Sequence, residues 1–130
     1  MKLKTLMLSA MVLAPPATHA APPASFWHAL HQVETGGRVG RILGDGGRSL
    51  GPLQISKAYW KDSRVPGGYG DCTGLAYSRR VATAYLKRYA PRAWRSGDCQ
   101  VLARIHNGGP RGHRKRVTAT YWAKVRRAMR

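Results

Sequence analysis

The segment Ser-Phe-Trp-His-Ala-Leu-His-Gln-Val-Glu-Thr-Gly-Gly, residues 25–37, holds the first predicted helix and the only glutamate of the chain. Ser25 is a residue type that caps helix N-termini, and apolar residues follow it with helical spacing as far as Val33. The Gly-Gly pair that closes the segment predicts the end of the helix. We therefore expect Glu34 in the last helical turn, beside a buried apolar stripe.

Outward from this helix, the sequence predicts four more helices and little sheet. The glycine-rich stretch from Arg38 to Gly51 predicts a loop or a short irregular hairpin, and Pro52 suits the first position of a new helix. Apolar spacing and stop residues predict the others: a helix over 75–89 ended by Pro91, a helix capped by Asp98 and ended by 107–110, and a helix over 117–128. The fold class is therefore mainly α.

The N-terminal 20 residues have the form of a cleavable export signal. Lys2 and Lys4 precede an apolar stretch, and small residues follow at 18–20. The stretch is too short to cross a bilayer core, which needs about 20 apolar residues. We expect an exported protein, periplasmic or extracellular, with one domain over 21–130 and no transmembrane segment after signal removal.

The chain is strongly basic, with 23 Lys and Arg against 5 Asp and Glu and a net charge of +18. Loss of the two signal lysines leaves +16. Such a charge favours polyanions, and export makes anionic cell-surface polymers the expected partner rather than nucleic acid. A non-enzymatic cationic binder, antimicrobial or DNA-binding, is the competing class of function.

Two cysteines, Cys72 and Cys99, stand in the exported part of the chain. An even count in an exported protein predicts a disulfide, whose loop closure would contribute about 3 kcal/mol. A Cys/His metal site needs more ligands at closer spacing. No phosphate-binding loop or dinucleotide motif is present, so we expect neither metal nor cofactor.

Glu34 is the best candidate for acid catalysis. The negative end of a helix and burial against aromatic rings both favour the neutral form of a carboxyl group. A protonated carboxyl is what cleavage of a glycosidic bond requires, because the leaving oxygen must receive a proton. The alternative is a structural glutamate paired with some of the many arginines.

Asp45 is the candidate second carboxylate. A retaining glycosidase needs it about 5–5.5 Å from the acid, and an inverting enzyme needs it farther away to leave room for water. The alternative is an ordinary Asp-Gly turn residue. The sequence leaves the two about equal.

Three strings of residues resemble the invertebrate-type lysozyme and destabilase family. They are Glu34-Thr35-Gly36-Gly37, the run from Gly44 to Ile55 with Tyr59-Trp60-Lys61-Asp62, and Ala103-Arg104-Ile105-His106-Asn107-Gly108-Gly109-Pro110 followed by Tyr121-Trp122. The resemblance runs from about Val33 to Val125. Nearly all of the family's many cysteines are missing, which marks a cysteine-poor relative such as a bacterial one.

The resemblance implies a lysozyme-like α(+β) domain that cleaves peptidoglycan glycan strands. It implies that Glu34 is the acid and Asp45 the nucleophile or stabiliser of the cationic sugar. Ser49, Gln54, Tyr59, His106 and Asn107 would line or support the sugar groove. We expect such a protein to act as a monomer.

Two alternative chemistries stay open. The front half of the chain also resembles lytic transglycosylases, in which a single glutamate, here Glu34, would serve as acid and then base. The resembling family is also associated with isopeptide cleavage, for which Ser49 and His106 would have to meet. Against that, His106 is expected to hold backbone groups near a helix end.

Overall fold

The computed structural model describes Leu13 and residues 21–130, and the predicted signal segment, residues 1–20, otherwise lies outside the described residues. Within the described part the helices are α1 (Ala24–Thr35), α2 (Lys57–Ser63), α3 (Leu75–Tyr89), α4 (Pro91–Ser96), α5 (Cys99–Gly108) and α6 (Thr118–Ala128). The strands are β1 (Leu43–Gly44), β2 (Ser49–Leu50) and β3 (Ile55–Ser56). The mainly α prediction is confirmed.

The three strands form one small antiparallel sheet in the order β1-β2-β3. Leu43 pairs with Leu50, and Leu50 pairs with Ile55 on its other side. A single 3-10 turn, Asp45–Gly47, connects β1 to β2. The glycine-rich stretch is thus a short hairpin, as expected.

The core lies where α1, α3, α5 and α6 meet. Its fully buried side chains come from all four helices: Phe26 and Leu30, Val81 and Leu86, Leu102 and Ile105, and Val125. The pairs from α1 and α5 are four and three residues apart, which is how apolar periodicity encodes a buried helix face. No helix among residues 21–130 combines the length and hydropathy that a membrane crossing requires.

Two predicted helix starts were wrong. Helix α1 begins at Ala24 with Pro23 in the capping position, so Ser25 lies inside its first turn. Helix α2 begins at Lys57, because the Ser56 side chain accepts a hydrogen bond from the Tyr59 backbone N–H. Pro52 belongs instead to the turn between β2 and β3.

The region after α3 holds one helix more than the sequence predicted. Helix α3 ends at Tyr89 as expected, but Pro91 is also the first residue of α4. Proline is favoured there because a first-turn N–H needs no intrahelical partner. The predicted cap at Asp98 is confirmed, since its carboxylate accepts from the Val101 N–H.

The predicted disulfide is not formed, because Cys72 and Cys99 are both free cysteines. Cys72 is buried, and its carbonyl accepts from the Ser78 hydroxyl in α3. Cys99 begins α5, where its thiol donates to the Gly97 carbonyl. Burial, with a smaller effect of the Asp71 carboxylate, raises the pKa of the Cys72 thiol to about 11.

Candidate active site

Glu34 lies in the last turn of α1, as predicted. The helix ends at Gly36, which has φ +65° and donates its N–H to the Gln32 carbonyl. Glycine is favoured in this left-handed conformation because it carries no Cβ. The Glu34 side chain is 16 % exposed, so its carboxyl reaches the surface from a largely buried position.

The Glu34 carboxyl has two neighbours from distant parts of the chain. The Tyr121 hydroxyl of α6 donates a hydrogen bond of 2.7 Å to Glu34 Oε1. His106 Nε2 of α5 lies 3.6 Å from the same oxygen. The carboxyl therefore sits where the ends of α1 and α5 meet α6, with one oxygen held by a donor.

Hydrogen bonds on both ring nitrogens fix the orientation of His106. Nε2 lies 3.2 Å from the Leu53 carbonyl, and Nδ1 lies 2.9 Å from the Tyr59 hydroxyl. Since a carbonyl can only accept, Nε2 carries the proton, and we assign Nδ1 as the acceptor from Tyr59. His106 thus holds a backbone carbonyl of the β2–β3 turn rather than one at a helix end.

The tyrosines of this cluster are held in the neutral form. Burial raises the pKa of Tyr59 well above its usual value, with smaller effects of Tyr85 and Glu34. Burial first, and then the charge and hydrogen bond of Glu34, raise the pKa of Tyr121 in the same way. A neutral hydroxyl keeps its proton, so both side chains remain hydrogen-bond donors near neutral pH.

A stacked pair of aromatic rings packs against His106. The rings of Tyr59 and Tyr85 lie 3.6 Å apart between centroids and are nearly parallel, at 11°. The His106 ring meets Tyr59 edge-on at 5.4 Å. This packing fixes Tyr59, and through it the histidine.

The Pro52-Leu53 segment is tied to both sides of the site. The buried Thr35 hydroxyl donates to the Pro52 carbonyl at 2.9 Å, next in sequence to Glu34. His106 holds the adjacent Leu53 carbonyl. The segment thereby connects the C-terminal end of α1, the β2–β3 turn and α5.

Asp45 stands apart from this cluster. It begins the 3-10 turn of the hairpin, with φ +51°, and its side chain is 66 % exposed. Its carboxylate pairs with the Arg48 guanidinium at 3.1 Å, and Arg48 Nε also donates to the Asp45 carbonyl. The hydrogen bonds of the described residues do not link it to Glu34.

Gln54 supports the hairpin that carries Asp45. Its Nε2 donates to the Ile42 and Gly51 carbonyls at 3.1 and 3.0 Å, although its backbone has φ +53°. A Cβ at Gly44 would meet the Gln54 amide oxygen, so a larger residue there would displace the Gln54 side chain. Gln54 is thus a structural brace behind the loop.

Ser49 and Asn107 form none of the described hydrogen bonds to the Glu34 carboxyl. Ser49 is half-buried in β2, opposite Gly44 and Ser56. Asn107 is exposed in the last turn of α5, next to His106. Among the described hydrogen bonds, none joins Ser49 to His106, whose ring nitrogens already have partners.

Tyr121 was not among the site residues predicted from the sequence, although the Tyr121-Trp122 pair belongs to the strings that carry the family resemblance. It lies 87 residues from Glu34 in the sequence. Residues 21–130 hold no cluster of three or more His, Cys, Asp or Glu side chains suited to a metal ion. The chemistry at hand is that of a carboxyl group and its hydrogen-bond partners.

The comparisons with known proteins point to one family. The family model for destabilase matches residues 28–128. Lysozyme 1 of Crassostrea virginica is 48 % identical over 79 residues, which cover 59 % of this chain and 43 % of that protein. The lysozyme of Meretrix lusoria is 38 % identical over 99 residues, which cover 74 % of this chain and 81 % of that protein.

The fold is also similar to a solved structure. The Meretrix lusoria lysozyme, solved in complex with the Aeromonas hydrophila protein PliI, matches with a TM-score of 0.70 and 33 % sequence identity. The match covers 82 % of this chain and 89 % of that one. The α1 end that carries Glu34 and the α5 segment that carries His106 both lie within the span of the family model.

Proposed function

The chain belongs to the destabilase family of invertebrate-type lysozymes, and from that membership we propose that it is a lysozyme that hydrolyses the β-1,4 glycosidic bonds of peptidoglycan. One observation within the chain carries this proposal. Glu34, the only glutamate, presents a largely buried carboxyl with one oxygen held by Tyr121. The other oxygen is left to exchange a proton with substrate.

Glu34 acts as the general acid in this proposal. As the glycosidic bond breaks, its carboxyl gives a proton to the leaving oxygen, which makes the departing sugar a neutral alcohol. Tyr121 holds Oε1 through its hydroxyl proton, so the transferable proton resides on Oε2. Tyr121 is therefore a positioning residue for the acid.

Asp45 stabilises or traps the cationic sugar that results. The hairpin holds it exposed at the surface, where a glycan strand would meet it, and its carboxylate lies 3.1 Å from the Arg48 guanidinium. Water then completes hydrolysis. Ser49 and Asn107 would contact the sugar from opposite edges, while Gln54, Tyr59 and His106 act through the groups they hold.

The charge and the predicted signal support a role outside the cytoplasm. Residues 21–130 retain 21 of the 23 basic residues of the chain and all five acidic ones. Such a surface concentrates the enzyme on anionic cell-surface polymers and speeds its encounter with the wall. We propose an exported, peptidoglycan-degrading protein on these grounds.

Replacement of Glu34 by glutamine tests the catalytic assignment. Glutamine keeps the shape and the hydrogen bond from Tyr121 but cannot donate the acidic proton. We expect the rate of fragment release from purified peptidoglycan to fall about 1,000-fold. Asp62→Asn is the matched control, because Asp62 lies in α2 and accepts only from Tyr89 among the described residues. A Glu34→Gln protein as active as this control would refute the assignment.

One observation favours a lytic transglycosylase as the second candidate. Glu34 belongs to the buried cluster whereas Asp45 is exposed and paired with Arg48, which suits a reaction that uses one carboxyl group. In that reaction Asp45→Asn would leave the rate nearly unchanged. The lysozyme proposal expects a loss of about 100-fold, as for removal of a group that stabilises transition-state charge.

A further inference from the structure

A sizeable cavity of the described residues lies away from Glu34. It is a groove of about 840 Å³ between α1 and α3, and its lining includes Trp27, His31, Leu53, Leu75, Arg80 and Lys87. Neither Glu34 nor Asp45 is part of this lining. We call it the α1–α3 groove.

The floor of the α1–α3 groove is apolar. Trp27 and Leu53 are buried beneath it, and Leu75 is 37 % exposed at one end. Ala76 and Ala84 on the same face of α3 keep the floor open because their side chains are small. The hydrocarbon surface that the groove exposes comes from Leu75 and Ala76, and in part from Ala84.

The rim of the groove is cationic, and each cation is fixed on an aromatic ring. The Arg79 guanidinium lies 5.0 Å from the Trp27 ring centre, and Arg80 lies 5.5 Å from that of Tyr77. The Lys87 ammonium lies 5.3 Å from the ring centre of Trp94. Cation–π contacts of this kind hold the charges in place before any ligand arrives.

The rim cations have no carboxylate partner in the part of the chain that the structure describes. The ion pairs found there are Arg48 with Asp45 and the proximity of His106 to Glu34. Helix α3 contains no Asp or Glu, and none lines the groove. The groove therefore presents fixed positive charge without an internal counterion.

We propose that the α1–α3 groove binds an anionic membrane lipid, with the charged headgroup at the cationic rim to which Arg80 and Lys87 belong and an acyl segment along the floor. A hydrophilic polyanion such as nucleic acid would use the cations but leave the hydrocarbon floor exposed. A neutral lipid would leave the ordered cations without a partner. This binding is separate from the reaction at Glu34, so Glu34→Gln binds lipid as the wild type does.

Vesicle co-sedimentation tests the charge requirement. The purified protein is mixed with phosphatidylcholine vesicles that contain phosphatidylglycerol, and the partition coefficient is compared among variants. We expect the double variant Arg80→Gln/Lys87→Gln to have a partition coefficient about 25-fold lower than the wild type, or about fivefold lower for each cation lost near the surface. The matched control is Arg126→Gln with Arg127→Gln, two exposed cations of α6. An equal loss in the control would mean diffuse charge attraction and would overturn the proposal.

Titration calorimetry with dodecyl phosphate below its micelle concentration tests the hydrocarbon requirement. We expect saturable binding that inorganic phosphate does not reproduce. Leu75→Ser should weaken it about tenfold through lost apolar contact, whereas Leu43→Ser, an exposed leucine in β1, should not. Equal binding of inorganic phosphate, or no effect of Leu75→Ser, would overturn the proposal.

Discussion

The Tyr121 hydroxyl donates a 2.7 Å hydrogen bond to Glu34 Oε1, joining the end of α1 to α6 across 87 residues of sequence. The two groups depend on each other. Tyr121 remains neutral because burial and the Glu34 charge raise its pKa, and a neutral Tyr121 keeps one carboxyl oxygen occupied. The other carboxyl oxygen is not held by this bond, and in the proposed reaction it is the one that delivers the proton.

Replacement of Tyr121 by phenylalanine removes this bond and preserves the ring. We expect kcat for peptidoglycan cleavage to fall about tenfold, since a hydrogen bond to a charged group is worth about 1.5–3 kcal/mol. KM should stay unchanged because Tyr121 is not proposed to touch substrate. Steady-state kinetics measures kcat and KM separately. Tyr89→Phe is the matched control, because it also removes a tyrosine hydroxyl that donates to a carboxylate, that of Asp62. A rise in KM alone would contradict the positioning role.

Replacement of His106 by alanine should destabilise the fold. It leaves the Tyr59 hydroxyl and the Leu53 carbonyl without their partners in a buried setting. We expect the free energy of unfolding in urea to drop by about 3 kcal/mol. His28→Ala, at an exposed position of α1, should change it by less than about 0.5 kcal/mol. Similar values for the two variants would show that the His106 contacts contribute little.

Part of this arrangement could be predicted from local sequence. The place of Glu34 followed from apolar spacing and the Gly-Gly stop, and the Asp98 cap followed from residue type, since both signals act within a few residues. Pro52 was wrongly predicted to begin a helix, and α4 was missed because a proline that follows one helix can also begin the next. Whether a proline begins a helix or lies in a turn depends on its tertiary contacts, such as the hydrogen bond from the Thr35 hydroxyl to the Pro52 carbonyl.

The long-range features of the site could not be predicted in this way. The Tyr121–Glu34 bond and the Tyr59–His106–Leu53 chain join elements far apart in sequence, and no periodicity encodes such pairs. The disulfide was wrong for a related reason: cysteine count and export show that a bridge is compatible with the compartment, not that two side chains meet. Whether Asp45 and Glu34 act on the same bond stays a prediction.

Gly51→Ala tests the packing of the hairpin against the segment before α3. Gly51 has φ +82°, and a Cβ there would lie 1.8 Å from the Cys72 carbonyl oxygen, which is backbone and cannot move aside. We expect a loss of more than about 3 kcal/mol in the free energy of unfolding, from the clash and the strained φ together. Gly46→Ala is the matched control, with φ +64° but open space around the Cβ. The control substitution should lower the free energy of unfolding by only about 1–2 kcal/mol. Equal losses in the two variants would mean that the clash at position 51 contributes nothing.

Stability should fall in alkali because of the buried tyrosines. Burial raises the pKa of Tyr85 to about 12, whereas tyrosine in an unfolded chain ionises near pH 10. Between about pH 10 and 12 the unfolded state therefore loses a proton that the folded state keeps, which favours unfolding as pH rises. Tyr85→Phe should reduce this slope by about 1.4 kcal/mol per pH unit. Urea unfolding of the wild type and of Tyr85→Phe at several pH values measures the two slopes. Identical slopes would place the pKa of Tyr85 near its usual value.

Hydrolysis by Glu34 is tested most directly by digesting peptidoglycan in water enriched in ¹⁸O and measuring the mass of the released fragments. Hydrolysis with Glu34 as acid predicts one ¹⁸O at each new reducing end, at rates that collapse in Glu34→Gln and fall in Asp45→Asn. Unlabelled anhydro ends would show that the reaction is not hydrolysis, and undiminished cleavage by Glu34→Gln would show that Glu34 is not the acid.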